Sequence, residues 1–207
     1  MSYFFTSDYH LGHANIIKYS NRPFKNLNEM NEVIIANHNE RVKPEDTVYF
    51  LGDFCFRNTK GGKKGEGETT RAEEYLSRLN GRFVFIQGNH DHNNGVKSVL
   101  LSGTIELGGQ TMFMVHNPAD MDPTFGINLC GHVHEKWKMK KDDRYPRSTL
   151  INVGVDMWGY RPININEILQ EHKRWLKSEK IIKPGKTTKK PKKSKKMKAI
   201  KPSKSSS

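Results

Sequence analysis

The sequence predicts one α/β domain over residues 1–179, with strands that alternate with helices early in the chain and become mixed or antiparallel, joined by turns, towards its end. Two patterns lead there. Short apolar runs recur along the chain, the early ones separated by helix signals and the later ones only by turns. At 207 residues, the chain is long enough for one substantial core and too short for two ordinary domains plus a tail.

Taken in order, Tyr3 to Thr6 is the first strand, and Asp8-Tyr9-His10 follows it. Asn26 as N-cap, Glu29 three residues on, and Met30, Val33 and Ile34 along one side predict a helix from Asn26. Val48 to Leu51 is the next strand, followed by Gly52-Asp53. Residues 58–68 hold four glycines and no apolar side chain, so an exposed mobile loop is expected over 57–69. Its lysines suit closure over an anionic substrate, and an incidental surface loop explains the composition as well.

Thr70 to Leu79 predicts a helix: Thr70 and Glu73 match a capping box, Ala72, Tyr75, Leu76 and Leu79 form an apolar stripe, and Asn80-Gly81 is a stop. Phe83 to Ile86 is then a strand leading into Gly88-Asn89-His90-Asp91. The later strands are Ile105 to Leu107, Met112 to Val115 before His116, Ile127 to Cys130 before Gly131-His132-Val133-His134, and Leu150 to Val153. A last helix fits Asn166 to about Lys177, with Ile168, Leu169, His172, Trp175 and Leu176 at helical spacing. His172 is read as a helix-face residue and His38, on the first helix, as structural.

Charge is segregated. From Lys180 onward there are twelve Lys and no acidic residue, which leaves about +1 of the formal +13 for residues 1–179. Residues 180–207 are therefore expected to be a disordered Lys-rich tail, too poor in large apolar side chains to offset the entropy of ordering. Such a run attracts nucleic acid or another polyanion and suits a nuclear address in a eukaryotic host; a solubilising tail without a partner has the same composition. The N-terminus has no signal-peptide pattern, and no window approaches the ~18 apolar residues that span a bilayer, so a soluble, intracellular, cytoplasmic protein without a membrane partner is expected. Cys55 and Cys130 form no CxxC pair, which fits a reducing compartment; both lie two residues from a ligand motif, and buried, inert thiols are the plainer reading.

The clusters after the strands carry the chemistry. Nitrogen and oxygen donors leaving neighbouring strand ends can converge on one spot, and the natural reading is a site for two metals. In extended backbone, residues i and i+2 share a side, so Asp8 with His10 can face one metal, and His132 with His134 can present two imidazoles together. Singly, Asp53 suits a turn cap, Asn89 an Asx-turn and His116 a core histidine. Jointly, several carboxylates and imidazoles buried without a cation would carry a desolvation cost that no Lys or Arg in these motifs offsets.

With Asp-x-His, Gly-Asp, Gly-Asn-His-Asp, His and Gly-His-x-His all present in order, residues 1–170 resemble the calcineurin-like metallophosphoesterase family. Thr6-Ser7-Asp8, Gly12-His13, Asn21-Arg22-Pro23-Phe24 and Asn152-Val153-Gly154-Val155-Asp156 are similar to a small branch of it seen in bacteria and viruses. The resemblance implies a four-layer αββα sandwich with mixed β-sheets and two metals at the strand C-termini. It implies that Asp8, His10, Asp53 and His134 hold one metal and Asp53, Asn89, His116 and His132 the other, with Asp53 between cations ~3.5 to 4 Å apart. The mixed nitrogen and oxygen set favours Mn, Fe, Zn or Ni over Ca, with manganese the first choice.

The implied reaction is hydrolysis of a phosphate ester by metal-activated water, with His90 as the family's group at the leaving oxygen and Asp91 expected to orient it. In the protein-phosphatase branch a second carboxylate stands where Phe56 stands here, while Arg57 matches that branch's phosphate-contacting Arg. The missing carboxylate favours a phosphodiester with a good leaving group over a phosphoprotein. His13, Arg22 and Tyr9 lie near the first motif and suit phosphate binding, Arg22 equally suits bracing the turn before Pro23, and His92 is expected to be exposed.

The substrate expected is a phosphorylated small molecule or nucleotide. A phosphomonoesterase, and a metal-bound binding module tethered to polyanions by its tail, are the alternatives. A nuclease is a further substrate option, although the domain lacks the basic and aromatic interleaving of a nucleic-acid groove.

Overall fold

The computed structural model describes residues 1–56 and 70–182. Nine strands form two sheets within these residues: β1 (Tyr3–Thr6), β2 (Thr47–Leu51), β3 (Arg82–Ile86), β4 (Ser102–Leu107), β5 (Gln110–Val115), β6 (Ile127–Cys130), β7 (Met139–Asp142), β8 (Tyr145–Asn152) and β9 (Ile163–Asn164). Four helices accompany them: α1 (Ile16–Tyr19), α2 (Leu27–Arg41), α3 (Ala72–Ser77) and α4 (Ile165–Ile182). The expected loop over 57–69, Arg57 with it, and the chain from 183 lie outside the described residues.

The first sheet has the order β3-β2-β1-β9. Its first three strands are parallel, with Tyr3 beside Thr47 and Thr47 beside Arg82, so their C-terminal ends lie along one edge. β9 closes the other flank of β1 in antiparallel register, with Phe5 opposite Ile163. The second sheet runs β4-β5-β6-β8-β7, with parallel β5-β6 and β6-β8 pairs inside antiparallel outer strands. The mixed sandwich the sequence predicts is therefore present.

Apolar alternation sets the layers. Phe5, Leu51, Ile86 and Ile163 of the first sheet meet Met112, Met114, Leu129 and Ile151 of the second in one buried cluster, which Ile168 of α4 joins. On the outer face of the first sheet, Phe50 packs with Met30 and Ile34 of α2 and with Ala72 and Tyr75 of α3. Beyond the second sheet, Val115, Cys130 and Leu150 form a smaller cluster with Phe113, Met121 and Trp137.

The helices also follow local chemistry. Asn26 accepts the Glu29 backbone N–H at 2.9 Å, while the Glu29 carboxylate accepts the Lys25 backbone N–H at 2.6 Å. Leu27, Met30, Ile34, Ile35 and His38 then line the buried side of α2. α3 is shorter than the pattern over 70–79 predicts: Arg71 is its N-cap, without a side-chain bond, and it ends at Ser77. α4 continues to Ile182, past the expected domain edge at 179.

Candidate metal centre

Every ligand-type cluster leaves a strand at the edge where the two sheets meet. Asp8 and His10 follow β1, Asp53 follows β2, and Asn89 follows β3; His116 follows β5, and His132 and His134 follow β6. The side chains form two groups, Asp8 with His10 and His134, and Asp53 with His116 and His132, the donor atoms of each lying within 4.8 Å of one another. Asp53 stands between them: its Oδ2 is 3.6 Å from His10 Nε2 and 3.5 Å from His116 Nε2. The Asn89 amide oxygen completes the second group, 3.0 Å from His116 Nε2 and 2.9 Å from His132 Nδ1.

The backbone reaches this convergence by a route that strand alternation does not foresee. Asp8, His10, Asp53, His132 and His134 all have left-handed φ, at 59°, 51°, 58°, 71° and 47°. Asp8 with His10 and His132 with His134 thus turn together through paired kinks beyond the strands, and not as neighbours on one face of an extended chain. Each such non-glycine residue carries strain of about 1 kcal/mol or more, so the surroundings must hold it. Asp8 N–H donates to Gly52 O, His10 N–H to Asp53 O, and His132 N–H to the Asp8 carboxylate at 2.9 and 3.1 Å. At Gly131, a Cβ would strike Ser7 Oγ and lie 2.6 Å from Asp8 Oδ2, so the turn before His132 admits only glycine without rearrangement.

Electrostatics fit a cation. His10 is buried, and both its ring nitrogens lack a hydrogen-bond partner, although Nε2 lies 3.9 Å from Asp8 Oδ1 and 3.6 Å from Asp53 Oδ2. Burial holds this imidazole well below its ordinary pKa, in the neutral form a metal requires. Burial pushes the Asp53 carboxyl up, but His116 and His10 outweigh it and keep it ionised. Burial likewise pulls His116 down, while Asp53 and Asp8 raise it to about 9; its Nδ1–H donates to Leu51 O at 2.7 Å, which aims Nε2 at Asp53. An otherwise unpartnered buried imidazole beside two carboxylates suits a divalent ion.

Arg22, expected at the phosphate or a turn, and Asp91, expected at His90, have other partners. Arg22 is 4 % exposed and saturated: Nε and Nη2 pair with Asp156 at 2.8 and 2.9 Å, while Nη1 and Nη2 donate to Tyr9 O and Asp8 O. Of its two expected roles the contacts support bracing, at the Asp8-Tyr9-His10 turn, and correct the phosphate-binding one. Asp91 is fully buried, and its carboxylate accepts the backbone N–H groups of Asp53, Phe54 and Gly88 at 3.0, 2.9 and 2.7 Å. It ties the β2 and β3 loops together and does not orient the His90 ring.

Of the remaining expected residues, His90 opens to solvent with its side chain 42 % exposed and Nε2 4.0 Å from Asp53 Oδ2, and its backbone N–H donates to Asp53 Oδ1. His13 stacks on Phe56 with ring centroids 4.0 Å apart, and Phe56 in turn lies 5.3 Å from the His90 ring. Tyr9 is buried, its hydroxyl 2.8 Å from His38 Nδ1, and so faces away from substrate. His92 is exposed. Both thiols are buried, and burial pushes Cys55 up to about 12 and Cys130 further still, which leaves them outside the donor set.

Sequence reasoning quoted Asp156 without giving it a role. Its Oδ2 accepts from His134 Nδ1 at 3.3 Å and from Arg22, linking the first turn to the last ligand. Asn152 Nδ2 donates to His134 O at 2.7 Å, and Ser7 Oγ donates to Asp8 Oδ2 at 2.5 Å. Only the nearness of Ser7 to Asp8, and the polar ends of an otherwise apolar run from Asn152 to Asp156, hinted at these contacts.

A model of the calcineurin-like phosphoesterase family matches residues 1–190. The chain is 38 % identical over 169 residues to the uncharacterized protein MJ1445 of Methanocaldococcus jannaschii, covering 79 % of this chain and 87 % of that one. It is 24 % identical over 200 residues to the Gene 66 protein of Mycobacterium phage L5, covering 79 % and 90 %. The crystal structure of a protein of unknown function, AQ665 from Aquifex aeolicus, superimposes with a TM-score of 0.60 at 27 % identity, covering 82 % of this chain and 98 % of that one.

Proposed function

Because the chain belongs to the calcineurin-like phosphoesterase family, we propose that it hydrolyses a phosphate ester with water at a centre of two divalent cations, and prefers diesters to monoesters. The observation that carries this reading is the pair of donor groups joined through Asp53, with the unpartnered His10 imidazole between Asp8 and Asp53. In it, Asp8, His10, Asp53 and His134 hold one cation, and Asp53, Asn89, His116 and His132 the other. When bound, the cations supply Lewis acidity towards water and the phosphate oxygens. A donor set of carboxylates, an amide and imidazoles without thiolate suits Mn, Fe, Zn or Ni, and manganese is the metal tried first.

The protein's own groups do the rest. The Asp53 carboxylate is fixed by the His90 backbone N–H, so it keeps its place as charge builds on the phosphate. His90 reaches the solvent-open side of the centre and meets the leaving oxygen. Its ring is flanked by the Phe56 ring, and the Asp91 carboxylate is held on backbone. An unbraced acid supports the diester preference, because a diester with a good leaving group needs the least protonation.

The test is metal content together with turnover of bis-p-nitrophenyl phosphate and p-nitrophenyl phosphate by manganese-reconstituted protein. The diester is expected to dominate, Asp53→Asn to lose metal and activity, and His90→Ala to keep the metal and lose about 10²- to 10⁴-fold in kcat. A dominant monoester rate would make the protein a phosphomonoesterase, and two bound metals without turnover would leave a binding module. The Lys-rich segment from 180 is proposed to hold a polyanion such as nucleic acid, a contact whose salt dependence disappears on truncation at Lys180.

A further inference from the structure

A cleft of about 590 Å³ opens from the second donor group, sharing Asn89, His116 and His132 with it. Away from the metals its wall has two characters. Leu101, Phe113 and Val115 make it apolar, and Gln87 and Asn117 bring two side-chain amides to it. Asp120 is its carboxylate, His92 is its one imidazole outside the donor group, and no Lys or Arg lines it among the described residues.

The placement is built in. Leu100 bridges to Ile86 beyond the end of β3, and Gln87 N–H donates to Leu100 O at 2.8 Å, which sets Leu101 and Gln87 on one rim. Leu101 is 70 % exposed there, within an exposed Val99-Leu100-Leu101 run. Across the cleft, Phe113 is held by stacking on Phe125. Asn117 Oδ1 accepts the Ala119 backbone N–H, which leaves its NH₂ group to face outward, and among the described residues the Gln87 amide has no partner.

We propose that this cleft seats the nucleoside of a nucleoside phosphodiester whose phosphorus lies over the metal centre. The inference rests on the phosphoesterase reading and narrows its substrate. An aromatic heterocycle matches both characters of the wall: its faces pack on Leu101 and Phe113, and its edge of alternating donors and acceptors is what Gln and Asn amides read. The volume suits a ligand of nucleoside size. Asp120 sets a carboxylate on this wall against a second phosphate.

The experiment uses the full chain loaded with manganese and two esters that share a leaving group, thymidine 5′-(p-nitrophenyl phosphate) and methyl p-nitrophenyl phosphate. In each, the water oxygen bonds to phosphorus, the bond from phosphorus to the nitrophenol oxygen breaks, and the water proton passes to solvent. The kcat/KM ratio of thymidine to methyl ester is expected at about tenfold or more, carried by KM, and is expected to fall by about that factor in Leu101→Asp and in Gln87→Ala. In parallel, saturation-transfer NMR on the metal-free protein is expected to show thymidine contact in the wild type that Leu101→Asp removes. A ratio near one, unmoved by either variant, overturns the nucleoside assignment while the phosphoesterase reading stands. No turnover of either ester with metals bound overturns that reading, and the NMR contrast then decides the cleft by itself.

Discussion

Arg22 and Asp156 form a charge pair whose side chains are 0 % and 1 % exposed, and the arginine also holds the carbonyls of Asp8 and Tyr9. Removing the arginine leaves the buried Asp156 carboxylate only its 3.3 Å contact with His134, so Arg22→Leu is expected to destabilise the protein by about 3 kcal/mol, read from urea unfolding. His38 is a second buried residue with a measurable signature. Burial lowers its pKa to about 4, against a bond to Asn80 O that raises it. Below pH 6.5 the unfolded chain takes a proton there that the fold refuses, so this stability is lost as pH falls from about 6.5 to 4. Between pH 7 and pH 5 the loss is about 2 kcal/mol, and His38→Gln, which keeps a donor and an acceptor, is expected to remove that part of the slope. Parallel slopes in the two proteins would mean that His38 is charged in the fold.

At this scale the donors were legible in the sequence and the supports were not. Asp8, His10, Asp53, His116, His132 and His134 stand out because motif spacing records which residue types follow a strand. Arg22 was left between phosphate and turn, and Asp91 was read as a partner of His90, because a sequence shows a charge and not its partner; Asp156 is 134 positions from Arg22. The left-handed turns were equally hidden: Asp and His take positive φ more readily than most residues, but that preference is too weak to locate a turn.

Among the elements, α2 was readable from its first residue because its start is chemical: Asn26 caps it and Glu29 returns the bond. Asn26→Ala is expected to cost about 1 kcal/mol, seen as a thermal midpoint lowered by a few degrees. A midpoint unchanged within error would show that packing of Met30, Ile34 and Ile35 fixes the helix alone. β7 and β9 escaped prediction for a different reason: Met139–Asp142 is mostly polar and Ile163–Asn164 is two residues long, so neither offers an alternating run. Their pairing with β8 and β1 is a tertiary event. α3 lost its ends because Arg71 takes the cap position that Thr70 was expected to fill.

Across the whole molecule, the first donor group joins β1 to β6 and the second joins β2 and β3 to β5 and β6, so each cation would tie one sheet to the other. Free manganese at a hundred times its dissociation constant is therefore expected to raise the unfolding free energy by about 2.7 kcal/mol per site, and a chelator to reverse it. Calorimetry with and without EDTA measures this, and an unchanged midpoint in a protein shown to bind metal would mean that the unfolded chain holds it as well.

The two-residue strand β9 sets an order of events during synthesis. Phe4 pairs with Asn164, so the first strand made waits for almost the last part of the fold before its free flank is covered. Until residue 164 has left the ribosome, the nascent chain carries Phe4 and Phe5 on an open sheet edge, the kind of edge that other chains join. A chain interrupted before Ile163 would keep every donor of the metal centre and still lack the strand that covers this edge.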